Sequence, residues 1–135
     1  MITVLGSANL DLIGAVSRIP HPGETVPGTS FATAAGGKGA NQALAARRAG
    51  AAVRMFAAVG DDSFAAEATA ELVAGGVDMQ AVRRVADTKT GVAMIFVDTS
   101  GENVIAILPG ANGTMRPADA EAALAGMSAG DILLL

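Results

Sequence analysis

Short apolar runs separated by glycine dominate the first half of the chain. Ile2 to Leu5 is such a run, closed by Gly6 and Ser7, which predicts a buried strand. Asp11 to Val16 predicts a second extended piece, and Pro20 and Pro22 on either side of His21 forbid a helix after it. Thr25 to Ala35 reads as extended. Gly36-Gly37-Lys38-Gly39 then opens a good helix former, Ala40 to Ala49, which ends at Gly50 where a left-handed cap belongs. Val53 to Val59 predicts another buried strand. Gly60-Asp61-Asp62-Ser63 supplies a turn and helix cap, and Phe64 to Ala74 a helix with Phe64, Ala68 and Leu72 on one face, stopped by Gly75-Gly76. Strand, helix, strand, helix implies parallel strands joined by helical crossovers, a doubly wound α/β fold.

The pattern then changes. Gly91 to Val97 and Asn103 to Leu108 are β-branched runs joined by Asp98 to Glu102, a length suited to a hairpin. Pro117 sits at a first helical position, Ala118 to Ala125 reads as helix, and Asp131 to Leu135 begins a further strand. A strand with no loop behind it is an unusual terminus, so a longer parent chain is expected.

Composition narrows the class. With 51% hydrophobic and 16% charged residues the chain is globular rather than disordered. A net charge of -4 with no Lys/Arg cluster argues against nucleic acid, since Arg47-Arg48 and Arg83-Arg84 are isolated pairs. No cysteine is present, which excludes disulfides and thiolate metal sites and fits a reducing compartment. The opening residues lack the basic and long apolar regions of a signal peptide, and no stretch is long enough to span a bilayer. A soluble cytoplasmic protein is expected.

Candidate chemistry centres on Gly36-Gly37-Lys38-Gly39-Ala40-Asn41. Glycines let backbone N–H groups approach a ligand, the helix start adds unpaired donors, Lys38 brings a mobile cation and Asn41 both donates and accepts. The segment is neither a P-loop, because Gly39 rather than Ser or Thr follows Lys38, nor a dinucleotide fingerprint, because Gln42 stands at its last glycine. A glycine-rich turn before a helix is also an ordinary structural device. Asn9 and Asp11, two apart in extended chain, point to the same side and could grip vicinal hydroxyls or satisfy a turn. Ala93, Ile95 and Val97 share one hairpin face, and with Ile107 they need something to cover, whether ligand, core or another subunit. His21 receives no role, and Asp61-Asp62 reads as a turn and cap rather than a metal site.

Several segments together resemble ribokinases and the wider phosphofructokinase-B-like sugar kinases. They are Val4 to Asp11, Pro22-Gly23-Glu24-Thr25, Gly36 to Ala43, Gly60-Asp61-Asp62, Thr90-Gly91-Val92-Ala93, Gly101-Glu102-Asn103 and Gly110-Ala111-Asn112, in the family's order. The resemblance implies a mostly parallel sheet flanked by helices, with a small β lid from segments of about 12–35 and 91–108 that closes over a sugar and mates with a second subunit's lid. It implies that residues 1–135 are the N-terminal portion of one such domain. It places Asn9, Asp11, Gly36, Gly37, Lys38 and Asn41 on sugar hydroxyls, with Ala93, Ile95 and Ile107 as the apolar wall. The Lys38 position favours ribose over fructose or nucleosides and leaves deoxyribose open. It also implies that a further sugar-binding Glu, the general base, the ATP and Mg2+ sites and any monovalent-cation ligands lie beyond Leu135. On this reading residues 1–135 alone are inactive, unless the chain is a stand-alone sugar-binding or dimerisation module.

Overall fold

A computed structural model describes residues 1–135. The elements run β1 (Ile2–Leu5), β2 (Asn9–Val16), β3 (Gly28–Gly36), α1 (Lys38–Arg48), β4 (Val53–Gly60), α2 (Ser63–Ala74), β5 (Val82–Val85), β6 (Gly91–Val97), β7 (Asn103–Leu108), a 3-10 turn (Gly110–Thr114), α3 (Pro117–Ala125) and β8 (Ile132–Leu134).

Two four-stranded sheets result. The first, in order β5-β4-β1-β8, is parallel throughout. The chain winds from β1 to β4 to β5, then returns to add β8 on the other side of β1, so the winding reverses there. Ligands collect beyond the carboxyl ends of strands at such a reversal. The core lies between this sheet and its helices, with Val4 and Met55 of the strands against Ala43, Leu44 and Leu72 of the helices, all buried. With so few aromatic side chains, close approach of small residues fills the space. A Cβ on Gly39 would lie 2.7 Å from the Gly6 backbone, so α1 starts directly against the end of β1.

The second sheet has the order β3-β2-β6-β7. It is mixed: β2 runs parallel to β6 and antiparallel to β3, while β6 and β7 form the expected hairpin. The Asp98 carboxylate organises the hairpin loop by accepting from the Ser100 N–H at 2.8 Å and the Ser100 hydroxyl at 2.6 Å. Thr99 Oγ1 donates to the Ser17 carbonyl at 3.3 Å and ties that loop to the end of β2.

The sequence-based expectations differ from the structure at several places, with β2 starting at Asn9 rather than Asp11 and β3 spanning Gly28–Gly36 rather than Thr25 to Ala35. Helix α1 begins at Lys38 rather than Ala40, because its first turn is held by Ala40 N–H donating to Ser7 O at 3.0 Å. Strand β5 has no periodic signal, since Val82-Arg83-Arg84-Val85 is a four-residue edge strand paired only with β4. The 3-10 turn at Gly110–Thr114 has no periodic signal. Phe64 does not join Ala68 and Leu72 in the core; Ala65 takes that place, and Phe64 is 36% exposed beside Val92 and Leu108.

The loop between β2 and β3 is pinned by charge. Both Arg18 terminal nitrogens donate to the Glu24 carboxylate, which also accepts from the His21 N–H at 3.0 Å. The Arg18 hydrogen bonds, and then the His21 amide, lower the Glu24 carboxyl from the usual 4.5 to about 2. A depressed carboxyl favours the folded loop above pH 4.5, and that contribution disappears as pH falls toward 2. Carbon-detected NMR should therefore find the Glu24 midpoint near 2. A midpoint at the ordinary carboxylate value would mean the loop is not held this way.

Candidate functional site

One cleft gathers most of the candidate residues. It is open, about 460 Å³, and lies between the start of α1 and one face of the second sheet. Strand register builds the sheet wall: Asp11 stands beside Ala93, which stands beside Ile107, and Ile13, Ile95 and Ile105 form the next row. Alternation along each strand keeps these side chains on one face. The opposite wall carries Gly37, Lys38 and Asn41 from the first turn of α1, and Ser7 and Asn112 close the end nearest β1.

Eight of the nine candidates from the sequence line the cleft: Asn9, Asp11, Gly37, Lys38, Asn41, Ala93, Ile95 and Ile107. Gly36 stands behind Asp11, where a Cβ would collide with the carboxylate oxygens. Gly37 has φ +96°, and a Cβ there would lie 2.6 Å from the Ser7 carbonyl oxygen. The turn therefore passes so close to the end of β1 that side chains are excluded. No side chain caps α1, which leaves first-turn donors and the positive end of its dipole beside the cleft.

The two aspartates singled out near glycine turns behave differently. Burial raises the Asp11 carboxyl above its usual value, and no protein hydrogen bond holds it down. Asp62 caps α2 by accepting from the Ala65 N–H at 3.1 Å and also accepts from Thr90. Burial pushes it up, and the hydrogen bonds from Thr90 and Ala65 overcome that and leave it lowered. Asp62 is thus committed to structure, while Asp11 faces the cleft with acceptor capacity free.

Sequence reasoning missed Ser7, Ile105, Pro109 and Asn112 as lining residues. Ile105 carried a signal, because it lies two before Ile107 on the same face of β7. Asn112 carried only its place in the Gly110-Ala111-Asn112 segment, because the partners it holds at Ala8 and Asn9 are about a hundred residues away. Its Nδ2 donates to Asn9 Oδ1 at 2.8 Å and Ala8 O at 3.2 Å, and its Oδ1 accepts from the Ala8 N–H at 3.0 Å. Asn9 Oδ1 is thereby occupied at the floor of the cleft, where the residue is 7% exposed, whereas the Asp11 carboxylate makes no hydrogen bond within the protein.

A cleft with one polar and one apolar wall, at the reversal point of a doubly wound sheet, sits on a chain matched along residues 1–135 by the model for the pfkB family carbohydrate kinases. The chain belongs to that family. This pfkB-family chain is 42% identical to ribokinase of Bacillus subtilis over 134 residues, which cover 99% of it and 45% of the relative. It is 41% identical to a deoxyribokinase of Salmonella typhi over 122 residues, 90% of this chain and 40% of that one. The structure of Arabidopsis thaliana ribokinase complexed with ribose and ATP superimposes with a TM-score of 0.74 at 34% identity, covering 82% of this chain and 36% of that one. The chain spans less than half the length of the curated relatives it matches. The family's α/β fold with a parallel sheet and a second sheet is the one seen here. No helix is long and apolar enough to cross a membrane.

Proposed function

We propose that this chain is the sugar-recognition part of an ATP-dependent kinase that converts D-ribose to D-ribose 5-phosphate. The observation that carries the reading is the cleft's division of labour. A pentose offers hydroxyls on its edge and C–H groups on its face. Asp11, Lys38 and Asn41 present an acceptor, a cation and an amide toward one side, and Ala93, Ile95, Ile105 and Ile107 present hydrocarbon toward the other. In this reading Asp11 accepts from two vicinal hydroxyls, Asn41 and Lys38 bind the neighbouring oxygens, Gly36 and Gly37 bring backbone close, and Asn9 fixes the floor. Water leaving the isoleucine wall adds favourable burial of the sugar's C–H face.

ATP, with its magnesium ion, supplies the transferable phosphoryl group. No group of three or more His, Cys, Asp or Glu side chains gathers within residues 1–135, and no step is assigned to magnesium there. We assign MgATP, the general base and an activating monovalent cation to residues outside this stretch. Positioning and charge stabilisation dominate phosphoryl transfer, so residues 1–135 alone are expected to bind sugar without phosphorylating it. The second sheet acts as the lid. Its apolar positions on the face away from the cleft, including Phe31 at 70% and Val104 at 45% exposure, suit pairing with the lid of a second copy. The proposed compartment is the cytoplasm, which the lack of cysteine suits.

Deoxyribose is the second reading, favoured by the 41% identity to a deoxyribokinase. The test is ATP-dependent phosphorylation of D-ribose, 2-deoxy-D-ribose and D-fructose by the full-length protein and by residues 1–135. Transfer to ribose by the full-length protein alone is expected. Transfer by residues 1–135 would overturn the division of labour, and a preference for deoxyribose would move the assignment to the second reading.

A further inference from the structure

Three short motifs converge at the root of the β6–β7 hairpin, and the residues that join them there, Gly60, Asp62, Lys89, Thr90 and Ala111, lie outside the cleft lining. Asp62 Oδ2 accepts from the Thr90 N–H at 2.9 Å, and Asp62 Oδ1 accepts from the Thr90 hydroxyl at 2.6 Å. The same hydroxyl accepts from the Gly60 N–H at 3.0 Å, and Thr90 is 2% exposed. On the far side of the segment the Ala111 N–H donates to Lys89 O at 2.8 Å. Gly60 and Gly110 leave no room for a side chain against Thr88–Thr90. The residues that lead into β6 are therefore clamped between the end of β4 and the 3-10 turn.

We propose that Asp62 is a positioning residue for the cleft, acting through Thr90 to fix where the hairpin wall stands over Asp11. Ala93 lies three residues beyond Thr90 and directly beside Asp11 in the register. A tilt of β6 about its root therefore changes the spacing between the apolar wall and the Asp11 carboxylate. The inference rests on reading the cleft as a sugar site, but the clamp itself can be tested without any sugar.

Hydrogen bonds to a carboxylate are among the stronger ones, and a lost partner leaves the Gly60 N–H or the Asp62 oxygen unsatisfied. Thr90→Val removes the hydroxyl at nearly constant shape, Thr90→Ser keeps it, and Asp62→Asn keeps an acceptor for the α2 cap but turns a donor toward the clamp. Amide hydrogen exchange in the full-length protein reads the clamp. In Thr90→Val and Asp62→Asn, amides of residues 91–108 are expected to exchange about tenfold faster while those of residues 53–59 and α1 are unchanged, and Thr90→Ser is expected to match the parent. The KM for ribose is expected to rise about tenfold in the same two variants with kcat changed less. Equal acceleration across the whole chain would make Asp62 a general stability residue and overturn the proposal, as would unchanged exchange in the hairpin. If the hairpin loosens selectively but the parent protein shows no affinity for ribose, the clamp stands and the sugar reading fails.

Discussion

Asp11→Ala should weaken ribose binding on the order of a hundredfold, about 3 kcal/mol, while leaving the protein folded. The magnitude follows from a carboxylate that accepts from two hydroxyls, each such bond contributing about 1.5–3 kcal/mol, less what solvent at an open cleft returns. The fold is expected to survive because the carboxylate makes no hydrogen bond within the protein and burial holds its pKa above the usual 3.8. For a carboxyl raised on folding, the native state binds the proton more tightly than the unfolded chain. Stability then falls as pH rises from 3.8 through the folded value, so at neutral pH Asp11 opposes folding slightly. Removing it costs function and not stability, the trade expected of a binding residue. The same sign predicts that ribose affinity declines on acidification at a pH above 3.8, and that Asp11→Asn abolishes this dependence. Calorimetric titration across pH, with thermal melts of both variants, checks each part. A variant that melts far below the parent would make Asp11 structural.

The second large effect is on folding. Gly37 and Gly50 have nearly the same backbone angle, φ +96° and +95°, but different surroundings. Nothing lies within 4 Å of a Cβ added to Gly50, whereas one on Gly37 meets the Ser7 carbonyl oxygen at 2.6 Å and the Ala8 Cα at 3.0 Å. Gly50→Ala should cost about 1 kcal/mol, the strain of a left-handed residue. Gly37→Ala adds overpacking against rigid backbone and should cost about 3–5 kcal/mol, a large part of a domain's stability. Thermal unfolding should place Gly37→Ala roughly 10 °C or more below Gly50→Ala. Equal melting temperatures would mean that the contact between the glycine turn and the end of β1 is not tight in solution. Because Gly37 also lines the cleft, binding measurements on this variant would mix two effects; the melt is the informative readout.

How far the molecule could be read from its sequence depended on how local each determinant is. Strands β1 and β4 and helices α1 and α2 announce themselves by apolar runs, helical spacing and flanking glycines, and Asp62 occupies the cap position its spacing implies. The hairpin was equally clear, because Asp98 to Glu102 is a loop that closes on itself. The pairing of β2 with β6 was not, since it joins residues about eighty apart and nothing near Asn9 specifies Gly91 as its neighbour. The split into two sheets follows from that pairing and from the break at Gly6–Ala8, so periodicity did not show it and only the resemblance implied it. Arg83 shows the same limit. It reads as a surface residue, yet it reaches Asp119 at the start of α3 with Nε to Oδ1 at 3.1 Å.

Within the cleft the pattern repeats. Asp11, Lys38 and Asn41 could be grouped from the sequence because each lies beside a glycine turn or a strand end, and all three line the cleft. Asn112 was not, because its part is to hold Asn9 and the β1–β2 turn from across the fold. Gly36 is the one candidate outside the cleft lining, and a Cβ there would collide with the Asp11 carboxylate.

The central claim is that Asp11 and the isoleucine wall hold a pentose between them. Titrating D-ribose into the folded protein by calorimetry, beside the Asp11→Ala variant, tests it most directly. The account predicts saturable binding at one site per chain that the variant loses. Absence of binding at millimolar ribose, or the same affinity in the variant, would contradict it.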